Sequence, residues 1–193
     1  MSKKLRIDLN VALSAAIILL LVPVKWSVSW LIAAAIHELF HCIGVWLCGG
    51  RILSVHVSAS GAKITTDLSG PGQEIFCLLI GPVGGCLLLL LSVRFPRVAL
   101  CALLQSAYNL LPLPDLDGGQ AVKGIADLLF PPCIAQKVCA VLQKLTVWVV
   151  ILLCVFCCVI LRLGILPIVF AVFFLVRYRK IKIPCKECRQ AVQ

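Results

Sequence analysis

Charge is what this chain has least of. Of its 193 residues only 13% are Asp, Glu, Lys or Arg, while 62% are apolar; an ordinary soluble domain is about 25% charged and about 45–50% apolar. A soluble globule of this length cannot hide so many apolar side chains. Disorder, a fibre or a nucleic-acid module would each need a far more polar chain, so composition excludes them and leaves lipid as the solvent. Acid is scarcer than base, with eight Asp and Glu against eighteen Lys and Arg. Any carboxylate within an apolar segment therefore asks for a reason. Internal repeats and long polar insertions are also missing, and residues 1–193 read as a single membrane domain.

The net charge of +10 does not point to nucleic acid, because of where it lies. Lys3, Lys4 and Arg6 precede the first apolar run, and Arg177, Arg179, Lys180, Lys182, Lys186 and Arg189 crowd residues 177–193. Basic clusters flanking apolar spans follow the positive-inside pattern, which places both termini in the cytosol and asks for an even number of crossings. The twelve cysteines do not form a disulfide framework either. Cys77, Cys86, Cys101, Cys154, Cys157 and Cys158 sit inside apolar runs, where a thiol behaves as a small hydrophobe, and the basic tail carrying Cys185 and Cys188 reads as cytosolic, where thiols stay reduced. That Cys-Lys-Glu-Cys pair is half of a zinc knuckle with no second pair to complete it.

About six helical segments are expected, giving an all-α membrane fold. Residues 9–24 form a first apolar run, without a small-x-small cleavage site, and residues 26–47 continue as a second after a tight turn at Pro23, Val24 and Lys25. Trp26 and Trp30 suit the interface. Residues 51–66 change texture: small, polar and β-branched residues alternate around a turn at Ser60-Gly61, predicting a small membrane-associated β-hairpin or sheet between the second and third helices. Residues 75–93 make a third span, interrupted by Gly81-Pro82-Val83-Gly84-Gly85. Residues 98–111 are apolar but only about three to four turns long, too short to cross a bilayer alone. They run into Pro112, Pro114 and Asp115-Leu116-Asp117-Gly118-Gly119. Broken helices of this kind occur at membrane depth where they line an enclosed or wet cavity. Residues 121–130 suggest a short amphipathic helix stopped by Pro131-Pro132, and residues 138–161 and 163–176 the last two spans.

An ionisable group inside a span costs about 2.5–3.5 kcal/mol on insertion scales, yet the second span holds three in five residues: His37-Glu38-Leu39-Phe40-His41. Positions i and i+4 share one face of a helix, so both imidazoles can reach one ion. Glu38, one residue round, is placed to meet a water instead, which is the zincin arrangement of two ligands and a general base. His56 lies alone in the strand-like stretch and reads as a polar-face residue. A catalytic zinc uses three protein ligands. Asp8, Asp67, Glu74, Asp127 and Glu187 fall at ends, loops or the tail, which leaves Asp115 and Asp117 as candidates, with the glycines after Asp117 expected to let the backbone turn its carboxylate inward.

The His37-Glu38-x-x-His41 element, together with Asn109-Leu110-Leu111-Pro112-Leu113-Pro114-Asp115-Leu116-Asp117-Gly118, resembles the site-2 protease family of intramembrane metalloproteases. That family pairs a membrane-embedded HExxH with a downstream N-x-x-P-x-x-x-L-D-G element, and each fixed position is matched. The resemblance spans roughly residues 27–119. It implies that Asp117 is the third zinc ligand and Asp115 is not, that Asn109 lies near the site and helps hold substrate, and that one Zn2+ is bound per chain. Gly81-Pro82 resembles the family's glycine-proline element, and the strand-like stretch resembles its substrate-binding sheet. The compact layout without a PDZ insertion is closer to the sporulation-associated branch than to the envelope-stress branch. The nucleotide-sensing CBS domain of some of that branch is not expected. Phe40 stands where a glycine is often seen.

The function so implied is hydrolysis of peptide bonds in or near transmembrane segments of membrane-protein substrates. Zinc would polarise the carbonyl and Glu38 would accept a proton from water. An edge strand in the 51–66 region could capture the unwound substrate. Partners are then a membrane-protein substrate and the bilayer, with no nucleic acid, and with a regulatory membrane protein or a second copy of the chain left open. Two other classes compete: a transporter or metal-permeation protein, which needs polar groups spread along a path, and an inactive protease-like scaffold, against which the intact Glu38 argues.

Overall fold

The computed structural model describes residues 4–7, 22–58, 61–160, 167–168, 171–172 and 175, and divides into two compact units, Met1–Leu110 and Leu111–Gln193. The expected first span and the sixth, apart from a few positions of each, and the basic tail with Cys185 and Cys188, lie outside the described residues.

In the first unit, strand β1 (Lys4–Ile7) is followed by helix α1 (Val24–Leu47), strands β2 (Arg51–Ser58) and β3 (Gly61–Asp67), helix α2 (Pro71–Leu87) with a 3-10 turn over Leu88–Leu91, and helix α3 (Pro96–Asn109). Pro23 caps α1 and the helix begins at Val24, so the Pro23-Val24-Lys25 turn is already its first turn. The Ser29 hydroxyl donates back to the Lys25 carbonyl at 2.8 Å. Gly49, at φ 72°, ends the α1 segment in the left-handed conformation that glycine adopts without strain.

The sheet is larger than a hairpin. β2 and β3 pair antiparallel with Ser58 opposite Gly61 and Arg51 opposite Asp67, and the register shifts between Ile52 and Ser54. β1 pairs parallel to β2, Lys4 with Ser54 through Ile7 with Val57, giving the order β1-β2-β3. Lys4-Leu5-Arg6-Ile7 alternates charge and apolar residue with the strand period of two. Its charges also fit a topology signal, and that reading hid the strand.

The core of this unit is built from small residues. The buried positions are Ser29, Ala33, His37, Gly44 and Val45 on α1, Cys77, Gly81, Pro82, Gly84 and Gly85 on α2, and Ala99, Cys101, Ala102 and Ser106 on α3. Leu31, Trp46, Leu90 and Val93 are among the exposed side chains. A soluble protein does the reverse. With hydrocarbon outside there is no hydrophobic gain from hiding leucine, and helices associate through close backbone approach at small residues.

That packing corrects the expected break in the third segment. The helix runs straight through Gly81-Pro82-Val83-Gly84-Gly85, with Pro82 buried inside it. The glycines act as contact points. A Cβ on Gly84 would strike the Phe40 ring, and one on Gly85 would strike the Ser106 hydroxyl. Phe40, unusual within the histidine motif, is thus accommodated by a glycine opposite.

In the second unit, helix α4 (Asp117–Leu129) is followed by α5 (Pro132–Val159), and the two pack together. α4 begins four residues before the expected 121, because Asp117-Gly118-Gly119 is its first turn. Pro131 and Pro132 do more than stop α4: they cap and open α5, where a missing N–H costs nothing. Among the described residues, Val24–Leu47, Pro71–Leu91 and Pro132–Val159 are long and apolar enough to cross a membrane. The 14-residue α3 is not, and six spans are not shown.

Gly84→Ala should destabilise the protein by about 1–3 kcal/mol through overpacking, read as a lower thermal midpoint in detergent micelles. In a Phe40→Ala background the same change should cost close to nothing, because the ring it would strike is gone.

Candidate metal centre

The i, i+4 spacing puts His37 and His41 on the buried side of α1. His37 is only 2% exposed. The rings meet edge to face, 4.8 Å between centroids and 86° between planes, and the two Nε2 atoms lie 3.2 Å apart. His41 Nδ1 lies 2.6 Å from the carbonyl oxygen of Cys77 on α2. A carbonyl can only accept, so Nδ1 carries the proton and the lone pair of His41 is on Nε2, directed at His37.

The Asn109 side chain, from the end of α3, completes this face with Nδ2 2.9 Å from His37 Nε2. An amide nitrogen donates, so His37 Nε2 is an acceptor too, and the lone pair that takes the Asn109 N–H is the one a bound ion would take over. Two acceptor nitrogens at 3.2 Å repel one another, and a cation relieves that. Two imidazole nitrogens each about 2.0–2.1 Å from a tetrahedral ion stand about 3.3 Å apart, so the observed spacing suits such an ion. Glu38 is half-buried on the same helix.

Asp117 is the first residue of α4 and half-buried, whereas Asp115 in the preceding turn is exposed. The turn is tight: Leu116 N–H donates to Leu113 at 3.0 Å, and Gln120 N–H donates to Leu116 at 3.0 Å. Gly119 has a different role from the expected one. It is helical, with no positive φ, and a Cβ there would run into the Leu113 backbone. The glycine lets the chain fold back on the helix start and thereby fixes where Asp117 begins. His37, His41 and Asp117 form a group that could hold a metal ion: each offers one ligand atom, and these atoms lie within 4.8 Å of one another.

Two contributors escaped the sequence reading. The Cys77 carbonyl orients His41, and no side-chain pattern announces a backbone acceptor. Gly81 lies against the His41 ring so closely that a Cβ would overlap it; here the signal was present, a glycine beside a proline in an apolar helix, but its partner was not legible. His56 stands in the register of β2 opposite Lys63, away from the histidine pair in chain order and on a different element.

A helical fold with membrane-length apolar helices, a small sheet and a His-His-Asp group is a definite class of architecture. The chain has the fold of a site-2 protease: it is similar to the Site-2 Protease from Methanocaldococcus jannaschii with a TM-score of 0.61 and 18% identity, over 90% of this chain and 88% of that one. No protein-family model matches the chain, and no curated protein matches it in sequence.

Gly81→Ala should push the His41 ring off the Cys77 carbonyl. Losing such an outer partner typically costs about 10–100-fold in metal affinity. Competition with a chromogenic chelator, wild type against variant, measures it.

Proposed function

We propose that this protein is an intramembrane zinc metalloprotease of the site-2 protease family, cutting membrane-protein substrates in or near their transmembrane segments. The observation that carries the reading is the pair of imidazole lone pairs converging 3.2 Å apart on an apolar helix, in a group with one carboxylate. The fold supports it, as does the matched N-x-x-P-x-x-x-L-D-G element, to which Asn109 and Asp117 belong. The short sheet and the absence of a PDZ insertion between the two motifs favour the sporulation-associated branch.

On this reading His37, His41 and Asp117 hold one Zn2+, with neutral nitrogen and carboxylate donors that suit it. When bound, the ion polarises the scissile carbonyl and makes water a usable nucleophile at neutral pH. Glu38 does the proton work: its carboxylate takes a proton from the attacking water and returns it to the departing amine. The Cys77 carbonyl holds His41 in the tautomer that ligation needs. Asn109, whose amide already points into this face, supplies a hydrogen bond to the substrate backbone.

A substrate helix must unwind before its peptide bonds can be reached. β2 is the central strand, so the outer edges of the sheet among the described residues belong to β1 and β3, and we assign capture of the extended segment to the longer of the two, β3. The protein crosses the bilayer several times with both ends in the cytosol, a placement that follows from its flanking basic clusters.

The test is metal content and cleavage of the full-length protein in detergent. Wild type should carry about one zinc per chain, the number a single three-ligand site holds. His41→Ala and Asp117→Ala should lose it. Glu38→Gln should keep the metal while cleavage of a model transmembrane substrate falls by roughly 10²–10⁴. A folded wild type without zinc, or a Glu38→Gln variant that still cleaves, overturns the reading.

A further inference from the structure

A pair of thiols lies about two helical turns beyond His41 in α1. Cys48 is the C-terminal cap of α1 and half-exposed, Cys77 is buried in α2, and their sulfurs are 4.0 Å apart. Three features hold them there. The Cys48 N–H donates to the Gly44 carbonyl at 3.0 Å. Its own carbonyl accepts from Gln73 Nε2 at 3.5 Å, and Gln73 Oε1 in turn accepts the Ser69 N–H at 3.1 Å. Gly44, on the same face as Cys48 at i−4, lets the helices touch: a Cβ there would stand 3.4 Å from the Cys77 Cα and 3.5 Å from its sulfur.

We propose that Cys48 and Cys77 are an oxidisable thiol pair that closes to a disulfide and staples the end of α1 to α2. A disulfide needs sulfurs about 2.0 Å apart. From 4.0 Å, rotation of the two side chains covers much of that distance without parting helices that already meet at Gly44. Cys48 reacts first because it is the accessible one, beside Gly49 and Gly50 at the polar end of α1. A hydroperoxide is the oxidant. The Cys48 sulfur attacks the peroxide, the O–O bond breaks, an S–O bond forms, and water or an alcohol leaves. The Cys77 sulfur then attacks the Cys48 sulfur, the S–S bond forms, the S–O bond breaks, and the sulfenic oxygen leaves as water with the Cys77 thiol proton. Two thiols are oxidised and one peroxide is reduced. A dithiol reductant reverses the reaction by exchange. The staple lands on the residue whose carbonyl accepts the hydrogen bond from His41 Nδ1, although the pairing itself does not depend on any reading of the histidines.

The experiment treats full-length wild type in detergent with hydrogen peroxide, blocks remaining thiols with N-ethylmaleimide, and maps peptides by mass spectrometry. The expected product is a Cys48–Cys77 linked pair lighter by two hydrogens, restored by dithiothreitol. In Cys77→Ala, dimedone should instead trap a sulfenic acid on Cys48. Cys48 joined to any other cysteine, taken to sulfinic acid in wild type, or alkylated together with Cys77 after peroxide overturns the proposal.

Discussion

Everything at the histidine face depends on how closely α1 and α2 approach. Gly44, Gly81 and Gly84 remove the side chains that would keep the helices apart, and into the space so opened go Ile80, the His41 ring and the Phe40 ring. At that separation a backbone carbonyl of α2 can reach an imidazole of α1. In a looser crossing His41 would lose its acceptor, and its tautomer would be set by chance. Glycine is a poor helix residue in water, costing roughly 1 kcal/mol against alanine. It is tolerated here because close packing, hydrogen bonding and contact between backbones are the terms that hold helices together in lipid.

The same logic explains why the interior is built mainly of small residues, a few of them polar, while the surface is large and apolar. α1 buries Ser29, Ala33 and His37 at four-residue steps and turns Trp30, Leu31 and Leu39 outward. An amphipathic helix of a soluble protein shows the opposite stripe. Sorting residues by hydropathy alone would place the core on the wrong side. Sorting by size places it correctly, and that sorting also aligns the histidines with the contact face.

How much was legible follows from this. Both histidines could be assigned to one face from a spacing of four, and the glycine-proline element, the strand-like texture of 51–66 and the broken fourth segment were all marked by residue type. Three things were not. The strand Lys4–Ile7 has a period-two pattern, but four residues carry little signal and their charge had a competing explanation. The role of Gly119 was misread because a glycine after a carboxylate suits a turn as well as a helix start, and only its distance from the Leu113 backbone separates the two. The Cys77 carbonyl could not be found at all, since every residue has one. Composition reports side chains, and the missed contributors are backbone.

On the proposed reading, charge balance gives the scarcity of acid a reason. A dication in a medium of low dielectric is costly unless its charge is matched locally. Two neutral imidazoles supply ligand atoms without adding charge, and the carboxylates of Asp117 and Glu38 together cancel an ion of charge +2. A third carboxylate at the same depth would leave an uncompensated negative group, which fits Asp115 being exposed while Asp117 is half-buried. The chain has eight acidic residues in all, and the two that lie with the histidine and L-D-G elements are the number that neutrality requires. Replacing a histidine by a further carboxylate would keep a ligand atom but break that balance, so nitrogen donors on α1 follow from the solvent as much as from the metal.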